Sequence, residues 1–318
     1  MDPHLDLVVT RREQQAHGVV VLDLAAADGA ILPPFDAGAH VEVQVAPGLV
    51  RPYSLCGDPA DRSRYRLGVL LEAGSRGGSA AVHGGFGVGE RVRTGLPRNR
   101  FPLAPTAAAS VLIGGGIGVT PLLAMAHHLH RTGQESALHY CAREQGRAAF
   151  LAELGQAPFQ DRVRMHFDDG PPAQRLDLDR DLPLPAPGTH LYVCGPAGFM
   201  EWVIAGARQR GHAEAQIHSE AFTAAVDETG DGFEIVLAKS GRTIAVPVGA
   251  TIVQALAGAG IAVDVSCEQG VCGTCLCDVL EGVPDHRDTY LTDEEKAAND
   301  QMTLCCSRAK TPRLVLAL

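Results

Sequence analysis

The chain has 318 residues, 46% hydrophobic and 20% charged, a balance that suits packed globular domains and excludes a mainly disordered chain. At roughly 150 residues per domain, two or three domains are expected. Twenty-seven Lys and Arg against 37 Asp and Glu leave a formal net charge of −10, which repels phosphate backbones and anionic lipid, so neither nucleic acid nor membrane is an expected partner.

The opening residues, MDPHLDLVVTRR, lack the layout of a secretory signal. The longest apolar stretch, 111–126, is broken by Gly114, Gly115, Gly116, Gly118 and Pro121. A cytoplasmic, monomeric protein is the expectation.

Residues 1–103 read as strands and turns. Segments 19–24 and 40–45 are strand-like, the second with clean alternation, and Pro33-Pro34, Pro47-Gly48 and Gly84-Gly85 punctuate the gaps. A small antiparallel barrel is predicted. Arg51-Pro52-Tyr53-Ser54-Leu55 sits at a strand end, and Arg76-Gly77-Gly78-Ser79 precedes a predicted helix over 79–83. Each alone could be surface decoration. Together they supply two cations, backbone donors and hydroxyls, which suits a phosphate.

Residues 104–225 change character. Strands at 110–113, 137–141, 163–167 and 190–194 alternate with helices at 121–131 and 198–208, the pattern of a parallel α/β sheet. Gly114-Gly115-Gly116-Ile117-Gly118-Val119-Thr120-Pro121 follows a strand and opens a helix, where free N–H groups and the helix dipole meet an anion. A tight turn is the plainer reading. Cys194-Gly195-Pro196 also joins a strand to a helix, and two such ends in one parallel sheet face one crevice. Cys194 is then either a buried thiol or a neighbour of a nicotinamide. Glu144 lies where a ribose-binding acid is expected, with Arg143 beside it.

Residues 226–231 are polar and read as a linker. From 232 onward strand signals return at 233–237, 242–246 and 313–318, with a helix over 252–259. Six of the nine cysteines lie between Cys267 and Cys306, and in a reducing compartment such clustering favours a metal centre over disulfides. Cys267-x4-Cys272-x2-Cys275, followed 30 positions later by Cys305, is the plant-type [2Fe–2S] spacing. Zinc prefers paired short spacings. Gly270, Gly273 and Thr274 let the loop fold over a cluster and aim N–H groups at its sulfur. Alternation points Cys277 away from the loop. Cys305 and Cys306 compete for the fourth ligand position.

In this order the motifs resemble the phthalate dioxygenase reductase family, single-chain flavin iron–sulfur reductases of the ferredoxin-reductase superfamily. The likeness covers essentially the whole chain; Asp285-His286-Arg287-Asp288 and Cys306-Ser307-Arg308-Ala309-Lys310 share it. It implies a multidomain chain: an antiparallel β-barrel flavin domain (1–103), an α/β parallel-sheet NAD domain (104–225), a linker (226–231) and an α+β, β-grasp-like ferredoxin domain (232–318). FMN is favoured over FAD. Arg51 and the loop of Arg76, Gly77, Gly78 and Ser79 would hold its phosphate. Tyr53 and Ser54 would contact the isoalloxazine, with Leu55 in the same binding segment. Phe222 would cover the ring until nicotinamide displaces it. Gly116, Gly118, Thr120 and Pro121 would meet the NADH pyrophosphate, with Cys194, Gly195 and Pro196 near the nicotinamide. Ser54, Cys194 and Phe222 would carry the chemistry. The family ending selects Cys305 to join Cys267, Cys272 and Cys275 as the metal ligands.

Such a chain converts an electron pair into single electrons. NADH gives hydride, a [2Fe–2S] cluster takes one electron at a time, and a flavin holds the second. The implied partner is a Rieske-type terminal oxygenase, with a di-iron or haem oxygenase as the alternative and a redox-sensing binding protein as the reading from another class. An acidic C-terminal part and the basic run Arg91, Arg93, Arg98, Arg100 could guide docking.

Overall fold

A computed structural model describes residues 4–74, 77–222 and 226–318. The chain divides into two compact units, one ending at Phe222 and one following it.

The first unit opens with an antiparallel sheet of β1 (His4–Ala16), β2 (Val19–Ala26), β3 (Ala39–Ala46), β4 (Leu49–Ser54), β5 (Tyr65–Leu70), β6 (Arg91–Gly95) and β7 (Arg98–Asn99). In β3 the alternation expected from sequence holds: Val41, Val43 and Val45 are buried while Gln44 is exposed. The strand order is β4-β3-β6-β1-β2-β5, with β7 on β3, and a bridge between Leu55 and Leu67 joins the outer edges, giving the barrel. Helix α1 (Gly78–Gly85) starts behind Gly77, whose φ of 90° is the left-handed conformation only glycine adopts freely.

Five parallel strands follow: β8 (Ala109–Gly115), β9 (Glu135–Ala142), β10 (Val163–Phe167), β11 (Thr189–Cys194) and β12 (Ile217–Glu220), in the order β10-β9-β8-β11-β12. The order reverses between β8 and β11, so the carboxyl ends of those two strands flank the crevice where such sheets bind ligands. Helix α2 (Val119–Arg131) covers one face over Leu112, Leu138 and Tyr140. The short helices α3 (Leu151–Leu154) and α4 (Leu178–Asp181) precede α5 (Ala197–Gln209), whose Met200, Val203 and Ala207 cover Ile113 and Val193 on the other face.

Barrel and parallel sheet share one core. Phe101 meets Tyr192 edge-on with centroids 5.9 Å apart, and the Ala104 N–H donates to the Tyr192 hydroxyl at 2.7 Å. The change at 103/104 is therefore a change of sheet within one packed body. Across this junction Arg66 pairs with buried Asp23 at 3.0 Å and with Glu153 at 2.8 Å. Removing the cation would leave buried Asp23 only the longer pair with the exposed Arg64 at 3.8 Å. Arg66→Met should lower the unfolding free energy of the first unit by about 3 kcal/mol, read by urea denaturation.

The second unit carries β13 (Phe233–Leu237), β14 (Thr243–Val246), β15 (Leu276–Glu281), β16 (Pro284–Asp285), β17 (Gln301–Thr303), β18 (Arg308–Ala309) and β19 (Arg313–Leu316). Its main sheet runs β14-β13-β19-β15-β17, with β13 and β19 parallel at the centre, the β-grasp arrangement. Two helices, α6 (Ile252–Gly258) and α7 (Asp293–Ala298), each open on a capping box, Thr251 with Gln254 and Thr292 with Glu295. Residues 226–231 belong to this unit, and Val226 packs against its core. Among the described residues no helix is long and apolar enough to cross a membrane.

Candidate active site

The barrel end presents β4. Arg51 is half-buried and lies against the start of α1: a Cβ on Gly78 would stand 2.8 Å from the Arg51 Cγ. The glycine thus lets a guanidinium and a helix N-terminus converge, a cradle suited to a phosphate. The buried Ser79 hydroxyl oxygen accepts from the Glu72 N–H at 3.1 Å, leaving its own hydrogen to donate. Arg76, expected in the same cradle, lies outside the described residues.

Further along β4, burial pushes the Tyr53 phenol up to about 12 against the pull of Arg51, so it stays protonated. Ser54 is buried and its hydroxyl donates to Glu220 Oε2 at 3.5 Å. Glu220 ends β12, and the parallel register sets it beside Cys194 on β11, which pairs in turn with Gly114. Three elements far apart in sequence thereby bring Ser54, Cys194 and Glu220 together. Cys194 is fully buried, and burial, then the Glu220 carboxylate, push its thiol well above the usual range. The thiol is thereby kept protonated. Burial likewise pushes Glu220 up to about 8, opposed by the Ser54 hydrogen bond, so the carboxyl is protonated at neutral pH. Glu220 was not singled out by sequence reasoning, although it lies two residues before Phe222. Phe222 is half-buried against the first unit's core.

Two expected contacts turn elsewhere. Leu55 is fully buried in the barrel core, with its N–H on the Ala39 carbonyl at 2.9 Å, so its side chain holds the strand. Thr120 is 2% exposed and its hydroxyl donates to the Ile117 carbonyl at 2.9 Å. Thr120 and the buried Pro121 shape the first turn of α2 and present no hydroxyl to the crevice.

At the switch point the strand ends nearly touch. A Cβ on Gly118 would lie 2.4 Å from the Cys194 carbonyl oxygen, and one on Gly195 would lie 3.1 Å from Gly115. Gly116, at φ 56°, remains accessible, and exposed Pro196 caps α5. Only glycines permit this approach, which leaves the N-termini of α2 and α5 facing one crevice. Farther along, Glu144 is engaged by Arg147 at 2.7 Å, while the N–H groups of Asp168 and Asp169 bond the carbonyls of Ala142 and Arg143 at 3.1 and 3.0 Å. These two aspartates are further acids at the end of β10 that the sequence reading passed over.

In the second unit the cysteine loop wraps its own sulfurs. The N–H groups of Gln269 and Val271 donate to Cys267 Sγ at 3.3 and 3.4 Å, and that of Gly270 to Cys305 Sγ at 3.2 Å. The Thr274 hydroxyl lies 3.2 Å from Cys272 Sγ. Gly270 and Gly273 have φ of 73° and 72°, and a Cβ on Gly273 would strike the Tyr290 ring at 2.1 Å. The thiols approach in pairs: contacts with Cys272 and Cys305 hold Cys267 low, and Cys275 is lowered by Cys305. Among the described residues no three His, Cys, Asp or Glu side chains converge on a single-ion position. Paired thiols with N–H donors suit a centre that takes two thiolates per iron. Cys306 Sγ borders both the Cys305 thiol and the Thr303 hydroxyl, the latter at 3.2 Å, and Cys277 is buried on β15.

Residues 235–310 match the family of 2Fe-2S iron-sulfur cluster binding domains. Over 316 residues the chain is 48% identical to a vanillate O-demethylase oxidoreductase of Pseudomonas sp. strain HR199, covering 99% of this chain and all of that one. It is 36% identical to the phthalate dioxygenase reductase of Burkholderia cepacia over 100% of this chain and 98% of the other. The chain belongs to the phthalate dioxygenase reductase family. The fold agrees: a phthalate dioxygenase reductase structure, described as a modular structure for electron transfer from pyridine nucleotides to [2Fe–2S], superposes with a TM-score of 0.76, covering 99% and 98% of the two chains. A type IV self-sufficient cytochrome P450 monooxygenase superposes at 0.86 with 36% identity, covering 99% of this chain and 41% of the other. Family membership makes the chain an oxidoreductase built from a flavin-type barrel, a pyridine-nucleotide sheet and a ferredoxin domain.

Proposed function

We propose that this reductase takes hydride from NADH onto FMN and passes electrons singly through a [2Fe–2S] cluster to a Rieske-type terminal oxygenase of the ring-hydroxylating or O-demethylating kind. The observation that carries the reading is the presence, in one chain, of the glycine-lined switch-point crevice beside Ser54 and Glu220 and of the paired cysteine loop. When bound, the flavin supplies storage for two electrons and the cluster supplies one-electron exchange. Per NADH, one hydride enters, two single electrons leave and one proton is released.

The chain's own residues position and insulate. Arg51, Gly77, Gly78 and Ser79, with Arg76, would hold the FMN phosphate. Tyr53, Ser54 and Phe222 would line the ring. Gly116, Gly118, Gly195 and Pro196 would admit the pyrophosphate and nicotinamide against Cys194, with Thr120 and Pro121 shaping the turn. Cys267, Cys272, Cys275 and Cys305 would ligate the cluster. Flavin (1–103), NAD (104–225) and ferredoxin (232–318) domains are the divisions of labour we assign, with 226–231 joining the last two. A cytoplasmic monomer with no membrane or nucleic-acid partner fits the acidic composition. The likeness to a self-sufficient P450 favours a haem oxygenase as the second reading of the partner.

Anaerobic NADH titration of purified protein tests the reading. Flavin absorbance should bleach, the electron paramagnetic resonance signal of a reduced [2Fe–2S] centre should follow, and acid should release FMN. A protein that binds neither flavin nor iron overturns it. Arg51→Met should weaken FMN retention about tenfold to a hundredfold, from the loss of a charge-assisted hydrogen bond. Flavin fluorescence after dialysis reads that loss.

A further inference from the structure

The two segments Asp285–Asp288 and Cys306–Lys310 each contribute an arginine that the cluster does not use. Arg287 Nη1 donates to the carbonyls of Asp227 and Thr229 at 2.5 and 2.7 Å, while its other nitrogens pair with Asp285. Arg308, 3% exposed and stacked on Phe233, donates to the Asp231 carbonyl at 3.0 Å and to Ala250 at 2.6 Å. Gly230, at φ 112°, lies between them: a Cβ there would stand 3.3 Å from Arg287 Nη2. Charged donors on backbone carbonyls are among the stronger hydrogen bonds. The stretch read from sequence as a linker is therefore fastened along its length to the second unit.

The consequence is a short tether. Phe222 packs on the first core and Val226 on the second. Four Cα steps along the chain separate these residues. Were 226–231 loose, the first fastened residue would be Gly232, ten steps from Phe222. We infer that Arg287 and Arg308 are positioning residues for electron transfer, clamping 227–231 so that the ferredoxin unit is held on the shortest leash the chain allows. The inference rests on the proposed passage of electrons from flavin to cluster. The clamp makes and breaks no bond in that passage; it raises the effective concentration of one unit at the other.

The test is stopped-flow mixing of the full-length, cofactor-loaded protein with NADH under anaerobic conditions, following flavin bleaching and then cluster reduction. Two variants are compared with wild type. One is Arg287→Ala. The other inserts six Gly/Ser residues between 224 and 225, lengthening the leash with the clamp untouched. Bleaching rate, cluster spectrum and cluster potential should be unchanged in both.

Effective concentration falls roughly as the −3/2 power of tether length. Going from four steps to ten should slow cluster reduction about fourfold in the insertion variant, and Arg287→Ala should slow it about threefold, because loss of the clamp lets Val226 lift from the core and frees the chain as far as Asp231. Cleavage after Glu228 by a glutamate-specific protease should also quicken in Arg287→Ala. If Arg287→Ala fails to fold, Arg287→Lys, which keeps the charge but cannot span both carbonyls and Asp285, takes its place. Transfer at the wild-type rate in the folded variants overturns the clamp while leaving the functional reading intact. A wild-type flavin that bleaches over a cluster that never reduces removes both.

Discussion

Cys305→Ala should yield a yellow protein that NADH still bleaches but that carries no iron–sulfur absorbance and reduces cytochrome c at under a hundredth of the wild-type rate. Cys306→Ala should keep its cluster. The two positions are adjacent, and their spacing from Cys275 differs by one, so the sequence pattern alone ranks them equally. Their surroundings do not. Cys305 Sγ receives the Gly270 N–H at 3.2 Å within the loop that also serves Cys267. Such N–H donors stabilise a thiolate bound to iron.

Cys306 Sγ meets the Thr303 hydroxyl at 3.2 Å, which lies 3.1 Å from the Ser307 hydroxyl. Ser307 in turn donates to buried Asp288 at 3.3 Å. Cys306 borders the Cys305 thiol and this run of hydroxyls, whereas the loop's N–H groups donate to Cys267 and Cys305. Iron and sulfide analysis of both variants reads the outcome. Full iron in Cys305→Ala, with loss in Cys306→Ala, would reverse the ligand assignment.

What could be read from sequence is what is local. The cysteine spacing names its chemistry because ligand type, loop length and the glycines that permit the loop all lie within nine residues, apart from the fourth ligand. The turn from β8 into α2 is local in the same sense. Leu55 and Thr120 show where that limit falls. The family resemblance sets both residues at the cofactor, but a strand-end bridge to Leu67 turns Leu55 inward, and a hydrogen bond to Ile117 does the same for Thr120.

Residues 226–231 carry a linker's polar composition, but two arginines remote in sequence hold that backbone in place. Glu220 was illegible for a larger reason. Its meeting with Ser54 and Cys194 depends on the order and register of parallel strands and on the barrel sharing a core with them. A single sequence states neither.

Glu220 also makes the pH behaviour of the first unit predictable. Its carboxyl is raised by burial from an ordinary value near 4.5 to about 8. The folded state therefore holds a proton that the unfolded state releases, and stability depends on which state binds more protons. The contribution is fully present below the unfolded value and is lost as pH rises through about 8. Thermal unfolding of the first unit should fall in midpoint across that window, and Glu220→Gln, permanently neutral, should remove this part of the slope.

Activity should follow the same titration. Below about 8 the acid is neutral beside Cys194 and Ser54; above it, a carboxylate lies beside the proposed hydride-transfer site, where negative charge arrives. One like unit charge roughly 10 Å away, at an effective dielectric of about 20, costs on the order of 1–2 kcal/mol, or about tenfold in rate. NADH-dependent flavin bleaching should thus drop about tenfold between pH 7 and 9 in wild type. Glu220→Gln should match wild type within a few fold at pH 7 and stay flat to pH 9. A Gln variant that keeps the wild-type drop would move the titration to another group, and one that is inactive at pH 7 would show that the charge at Glu220, not its absence, is what hydride transfer requires.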